Sequence, residues 1–225
     1  MAAVYESAVA VEAVKANETA WAALTGASSA VMGKAAAKLA GLNPADYADM
    51  DAIAASSTAM AAIIGNSTAL NAVVSSSTAM AAVAASQTAM AAVAASQTAM
   101  AAIIGNSTAL NAVVSSSTAM AAVAASSTAL SAIAASTTAL DAIYAKKKRM
   151  SGASASLSGK FIILQISNDN AFDTSQYGYA TLSDGSKPKW DSYKDKYAYF
   201  KQYKKIATYM KNDTDRDDWI DYFQC

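Results

Sequence analysis

The middle of the chain repeats one pattern of hydrophobic and polar positions every ten residues. In each decad a Met or Leu, here called the anchor, is preceded by Thr-Ala and two polar residues and is followed three positions later by Ile or Val. The block 61–86 is identical to the block 101–126, which indicates a duplication of 40 residues. The anchors are Met60, Leu70, Met80, Met90, Met100, Leu110, Met120, Leu130 and Leu140.

This period predicts short helices that break once in each repeat. Ala, Met and Leu favour helix, and there is no alternation of period two that would predict strands. Ten residues fall short of three helical turns, so the anchors would wind around a straight helix instead of forming one stripe. Gly65 followed by Asn66 is typical of one helix ending and the next beginning. We therefore expect helices of about two turns that need neighbours for stability, with an overwound coiled coil as the alternative.

Worn copies of the repeat precede the regular array. Thr-Ala stands before Trp21, and Met50 returns to the phase of the anchors, whereas the segment 33–49 interrupts the pattern. We interpret residues 1–50 as worn repeats that form a docking region. Trp21 and Tyr47 are its candidate docking residues, because aromatic side chains tend to dominate interfaces.

The chain changes character at its C-terminal end. The fold class expected is a mainly α fibrous repeat with a small α+β C-terminal domain. Strands are predicted at Phe161–Ser167 and over 177–186 with a turn at Asp184-Gly185. Helices are predicted along the aromatic residues from Trp190 to Met210 and over Trp219–Phe223. The predicted divisions are a decad-repeat stalk at 51–145, a basic end and Ser/Gly linker at 146–158, and the C-terminal domain at 159–225.

Charge is concentrated outside the array. No charged side chain lies between Ala52 and Leu140, whereas the part after Ala145 holds 14 of the 17 basic and 10 of the 17 acidic residues. A net charge of zero predicts no nucleic-acid partner, and no apolar stretch of about 20 residues predicts membrane insertion. With no histidine, we expect neither an enzyme nor a cofactor. Cys225 is the sole cysteine, so no disulfide can form within the chain.

Two clusters near the C-terminal end are candidate sites. Four tyrosines interleaved with lysines predict either the buried stripe of a helix or a receptor-binding surface. Four aspartates have the spacing of calcium-loop ligands, but Asp218 stands where that loop needs Gly and Gln224 where it needs Glu. An acidic helix N-cap is therefore favoured over a metal site. The tyrosines are Tyr193, Tyr197, Tyr199 and Tyr203, and the aspartates are Asp213, Asp215, Asp217 and Asp221.

The decads, of the form SSTAMAAVAAS, resemble repeats in tail-fibre and related appendage proteins of tailed bacteriophages. The resemblance covers about residues 5–145 and implies a homotrimeric structural subunit of the virion, with one end docked on other virion proteins and the other facing the host. A trimer is also expected because one column of decads has no thick core of its own. We expect 156–225 to bind a host-surface glycan or protein. The alternatives are an ice-binding or other surface-binding Ala-Thr repeat protein and a cell-surface adhesin.

Overall fold

The structure is a computed structural model that describes residues 8–152, 155–167, 178–190, 195–212 and 218–225. The chain divides between Ala129 and Leu130 into two compact units, here called the N-terminal unit and the C-terminal unit. The helices are α1 (Ala8–Lys15), α2 (Glu18–Thr25), α3 (Ser29–Leu39), α4 (Met50–Ala55), α5 (Ser57–Gly65), α6 (Ser67–Val74), α7 (Ser77–Ala85), α8 (Gln87–Ala95), α9 (Gln97–Ile104), α10 (Ser107–Ser115), α11 (Ser117–Ala125), α12 (Ser127–Ala135), α13 (Thr137–Tyr144) and α14 (Ala198–Tyr203). The strands are β1 (Lys148–Ser151), β2 (Ser156–Ser167), β3 (Gly178–Leu182), β4 (Lys189–Trp190), β5 (Ala207–Lys211) and β6 (Trp219–Gln224).

Each decad forms one short helix, and a capping residue separates it from the next. Ser86, between α7 and α8, is extended, with φ −93° and ψ 119°. Its N–H donates to the carbonyl of Val83 at 3.2 Å, and its own carbonyl accepts from the N–H of Met90 at 2.9 Å. Its side chain accepts from the N–H of Ala89 at 3.2 Å. One residue therefore ends one helix and caps the next, which satisfies backbone groups that both helix ends would otherwise expose. The predicted break in every repeat is confirmed, and the overwound coil is excluded.

Glycine is not what ends these helices. Gly105 has φ −74° in the right-handed helical region, and Gly65 is the last residue of α5 without a positive φ. Other decads have Ala85 or Ser115 at this position. Neither glycine therefore has the left-handed conformation that is common at helix C-termini, and the break comes from the Ser or Asn that follows.

Successive helices of the N-terminal unit turn through about a right angle, and every third helix lies alongside. The angle is 107° between α5 and α6, 98° between α7 and α8, and 106° between α9 and α10. Helices α4, α7 and α10 pack in one column, α5, α8 and α11 in a second, and α3, α6 and α9 in a third. The repeats therefore form a solenoid with three helices in each turn.

The interior of this solenoid is built from the anchors and the residues around them. Met90 is fully buried, and the Ala89 before it and the Val93 after it are 0% and 2% exposed. Burial of each Met or Val side chain contributes roughly 1.5–3 kcal/mol. One chain thus encloses its own anchors, so partner chains are not needed to bury them. The homotrimer stays a prediction, but it now rests on the resemblance alone.

The capping serines at positions 86, 116 and 126 also join successive turns. The Ser86 hydroxyl donates to the carbonyl of Ala54 at 2.7 Å, and Ser116 donates in the same way to Ala84 at 2.5 Å. Each hydroxyl also accepts the capping hydrogen bond of its own helix. The serine hydroxyl thus acts as acceptor within its decad and as donor to the turn before it.

The C-terminal unit contains a six-stranded antiparallel sheet in the order β1-β6-β2-β5-β3-β4. The strand predicted at Phe161–Ser167 is confirmed within β2, and Gly185, with φ 83°, forms the predicted turn after β3. Phe161, Trp190 and Tyr199 are buried in the core on one face of the sheet. The small α+β domain is therefore confirmed.

Two helix predictions in this unit are wrong. Trp190 lies in β4 and Met210 in β5, and among the described residues 195–210 the expected helix is present only as α14, six residues long. The residue before α14 and the one after it, Tyr197 and Lys204, have φ values of 69° and 51°. The last segment is strand β6. Aromatic residues also favour strands, and dense aromatics give helical spacings by coincidence.

The segment 146–158, predicted to be a basic end and a Ser/Gly linker, is largely strand. Lys148 and Arg149 belong to β1, which pairs with β6. Ser156 begins β2 and pairs with Lys211 of β5. These polar residues form strands because they pair with strands far along the chain, and local composition does not reveal such partners.

The dual role of the capping serine predicts the effect of Ser116→Ala. This change removes the cap of α11 and leaves the Ala84 carbonyl without its donor, so we expect the free energy of unfolding to fall by about 2 kcal/mol. Urea unfolding followed by circular dichroism measures it. Ser117→Ala is the matched control, since Ser117 is an exposed first residue of α11. Equal effects of the two changes would contradict the assignment.

Candidate functional site

Two residues of α13, the last helix of the array, differ in kind from their equivalents. Asp141 stands where the eight preceding decads have Ala, Asn or Ser, and Tyr144 stands where they have Ala, Val or Ile. Both contact the sheet domain within the C-terminal unit. Asp141 and Tyr144 therefore mark the end of the helical repeat, where the chain enters the antiparallel sheet.

Tyr144 lies at the centre of a polar cluster that includes a buried carboxylate. Its hydroxyl lies 3.1 Å from Oδ2 of Asp221 and 3.1 Å from Oε1 of Gln165. Asp221 is fully buried, and Arg149 donates to its two oxygens from Nε at 2.6 Å and Nη2 at 2.8 Å. This two-bond pairing is the strong geometry for a guanidinium and a carboxylate. Burial, followed by the charge of Asp221, raises the pKa of Tyr144, which keeps the phenol protonated as a donor.

A second polar cluster forms around Asp141, one turn before Tyr144 in α13. Its carboxylate accepts from the Tyr197 hydroxyl and from Lys196 Nζ, the latter at 3.0 Å. These two hydrogen bonds lower the pKa of Asp141. The Tyr144 and Tyr197 rings meet edge to face with centroids 5.7 Å apart. Asp141 and Tyr144 thereby attach α13 to the segment before α14 and to β6.

The tyrosines predicted to bind a receptor are largely part of this packing. Tyr197 and Tyr199 are 4% and 1% exposed. The Tyr199 and Trp190 rings meet edge to face with their centroids 5.6 Å apart, and the centroid of the half-buried Tyr203 ring lies 4.9 Å from that of Tyr199. Tyr193 lies outside the described residues. Of the two interpretations made from sequence, buried stripe or receptor surface, the geometry of the three described tyrosines agrees with the buried one, although not on a single long helix.

The candidate docking residues lie in the N-terminal unit and are both half-buried. Trp21 is in α2, where its carbonyl accepts from the Thr25 hydroxyl at 3.1 Å. Tyr47 follows a short 3₁₀ turn at Pro44–Asp46. Each ring is accessible enough to contribute to an interface, and docking through them stays a prediction.

The calcium-loop aspartates do not converge on a site that the structure describes. Asp213, Asp215 and Asp217 lie outside the described residues. Asp221 has both oxygens in hydrogen bonds with Arg149 and Tyr144, which leaves it poorly placed to bind a cation. Across the described ranges, no cluster of three or more His, Cys, Asp or Glu could hold a metal ion.

The apolar composition of the array raises the question of membrane-spanning helices in the described parts of the chain. No single helix there is both long and apolar enough to cross a bilayer. Four pairs of consecutive helices meet the length and composition criteria together, but each pair is bent by about a right angle. The array helices are therefore apolar in composition without any one of them reaching the length of a span.

In comparisons with known proteins, no family model matches the chain and no curated protein matches it. The clusters at Asp141 and Tyr144 are suited to attachment: they join elements far apart in sequence through directional, charge-assisted hydrogen bonds.

Sequence reasoning missed this polar network. Its members are separated by as many as 77 residues, the distance from Tyr144 to Asp221, and such pairing has no local signature. One signal was available, namely the replacement of small neutral or aliphatic residues by Asp141 and Tyr144 in a repeat that is otherwise uniform. A residue that departs from a strict repeat indicates a local contact, because all the equivalent positions show which residues the repeat itself requires.

The Asp141 contacts predict a pH-dependent effect of Asp141→Asn. Asn is the residue that the array itself has at the equivalent positions 71 and 111, so the change suits a helix of this kind. We expect it to destabilise the C-terminal unit at neutral pH, because Lys196 loses its ion pair. The folded pKa of Asp141 is lowered from 3.8, so its stabilisation is present above that value and is lost as the pH falls through the folded pKa.

Thermal unfolding of both proteins between pH 7 and pH 3 measures this difference. The gap between the melting temperatures should be constant near neutrality and shrink in acid. Asn111→Asp serves as the control, because it places a carboxylate at the equivalent exposed position of α10. A gap for Asp141→Asn that does not change with pH would contradict the role of the carboxylate.

Cys225 is expected to be an inert thiol in the folded protein. Its N–H donates to the Lys160 carbonyl at 2.9 Å, and burial raises the pKa of its thiol to about 12. Because the thiolate is the reactive form, alkylation by iodoacetamide at pH 8 should be slower than in the unfolded chain by about a thousandfold. Mass spectrometry with and without urea checks this, and rapid labelling of the native protein would show that the thiol is accessible and ionised.

Proposed function

We propose that the protein is a structural fibre subunit of a phage virion, in which the decad array spaces a particle dock from a host-facing end. The observation that carries the proposal is the uniformity of the array. It has no charged residue between Ala52 and Leu140, and its outward positions hold small uncharged residues such as Ser57, Thr58 and Ala61. Such a surface offers few groups for recognition, whereas the repeated interior supports any number of turns.

The duplication supports a role in length. Identical sequences recur 40 residues apart, which is four decads, whereas one turn of the solenoid takes three. The decad of α6 is therefore repeated in α10, which belongs to a different column. The duplication lengthened the array without giving any one column a sequence of its own.

The same observation weighs against the alternative of an ice-binding protein. Ice binding requires threonines in register on one flat face. Thr58, Thr88 and Thr118 do recur along the second column, but Thr occupies the same phase in the decads of all three columns. An array selected for one face would differ between columns, so the spacer is the better supported function. Nothing in the geometry favours a cell-surface adhesin.

The roles of the two ends complete the proposal. Residues 1–50 would dock on other virion proteins through Trp21 and Tyr47, and the C-terminal unit would face the host. The subunit would be homotrimeric, as the resemblance to phage appendage proteins implies. The contrast between an uncharged array and a charged, aromatic C-terminal end supports this division of roles.

Deletion of residues 61–100 tests the spacer. The deletion joins Met60 to Ala101, which is identical in context to Ala61, so every decad keeps its phase. We expect a folded protein with four fewer helices that still enters virions. Electron microscopy of particles labelled with an antibody to the C-terminal unit should show the label closer to the particle.

Deletion of residues 61–95 is the matched control. It removes a similar length but joins Met60 to Ser96, which puts the anchors out of phase. That protein should fold poorly because Met and Val side chains would no longer meet inside. Virions without label, or label at an unchanged distance in the in-phase deletion, would overturn the proposed function.

A further inference from the structure

We propose that the C-terminal unit binds sugar polymers that carry phosphate or carboxylate groups, through a cationic cluster formed by Lys147, Lys196 and Lys201. This inference rests on the proposed host-facing role of that unit and names the chemistry of what it meets. It moves the candidate binding surface from the tyrosines, which are largely buried, to the lysines that lie over them.

Two adjoining aromatic rings contact the three ammonium groups. Lys147 Nζ lies 4.1 Å and Lys196 Nζ 4.3 Å from the centroid of the same Tyr144 ring. Lys196 Nζ is also 4.8 Å from the centroid of Tyr197, and Lys201 Nζ is 5.9 Å from it. The rings themselves are fixed, because the hydroxyl of each is hydrogen-bonded to an aspartate. The attraction between a cation and a ring face orients the lysines without neutralising them.

The cluster keeps an excess of positive charge. Asp141 forms an ion pair with Lys196, and the nearby charges of Arg149 and Asp221 balance each other. Lys147 and Lys201 are exposed and form no ion pair with any residue that the structure describes. An anionic group that reaches more than one of these ammonium groups gains attraction from each of them.

The size of the cluster favours an acidic sugar polymer over nucleic acid. Tight binding of nucleic acid needs a long row of phosphate contacts, and it draws on a strongly basic protein. This chain has a net charge of zero and presents three ammonium groups in one place. A lysine acts as a point charge without the planar two-bond geometry of arginine, so it binds phosphate and carboxylate groups alike. A polymer with acidic groups at intervals also engages several subunits at once, which strengthens weak individual contacts.

Binding of the full chain to defined polymers tests the inference. The probes are polygalacturonate for carboxylate, phosphomannan for phosphate, uncharged dextran, and a single-stranded oligonucleotide. We expect binding to one or both acidic polysaccharides that weakens as salt is added, with none to dextran. The double variant Lys147→Gln and Lys201→Gln should bind at least about tenfold more weakly.

The matched control is the double variant Lys160→Gln and Lys187→Gln, which removes the same charge from two other exposed lysines of the same unit. It should bind as the parent does. Protection of Cys225 from alkylation checks that both variants are folded. Absence of binding to both acidic polysaccharides, equal losses in the two double variants, or tighter binding to the oligonucleotide would overturn the inference. None of these results bears on the deletion of residues 61–100, so the spacer and the binding surface fail separately.

Discussion

At each break between decads, one Ser or Asn side chain makes the hydrogen bonds on which the array depends. In Ser116 it accepts from the N–H of Ala119 and donates to the carbonyl of Ala84 in the turn before. The extended backbone of the same residue ends one helix and redirects the chain into the next. Capping, bending and stacking are therefore coupled through one side chain. Asn at 66 and 106 also caps the following helix, which shows that the cap and its extended backbone are the shared requirement.

This residue also explains how a helix too short to be stable alone persists. Eight or nine residues gain little from helix propagation, so packing has to supply the stability. Because each break turns the chain by about a right angle, the next decads bring Met80 and Val83 inside as their predecessors did. Alanines such as Ala79, which are fully buried, keep the helices close. The period of ten is therefore the length of a helix that presents one short apolar stripe and then stops.

Local signals accounted for what could be predicted from sequence, and distant contacts account for what could not. The breaks between helices follow from residues within four positions of one another, so the sequence predicts them. The spacing of Met and Val is the same whether the anchors meet neighbours in one chain or in several, so the expectation that other chains would bury them had no support from the spacing itself. In the C-terminal unit, Trp219–Phe223 was assigned to a helix because its pairing with β1 and β2 has no trace within the segment itself. The network of Arg149, Tyr144 and Asp221 was missed for the same reason.

The last helix of the array shows how a uniform repeat can end in a specific structure. In α13 the anchor Leu140 and the branched Ile143 are fully buried, as in any other decad, while Asp141 and Tyr144 bind residues of the sheet domain. The two sets of contacts use different sides of one helix, so neither compromises the other. Duplication of decads upstream leaves Asp141 and Tyr144 where they are. The length of the array can therefore change while the attachment at α13 is inherited unchanged, which is the property that a spacer requires.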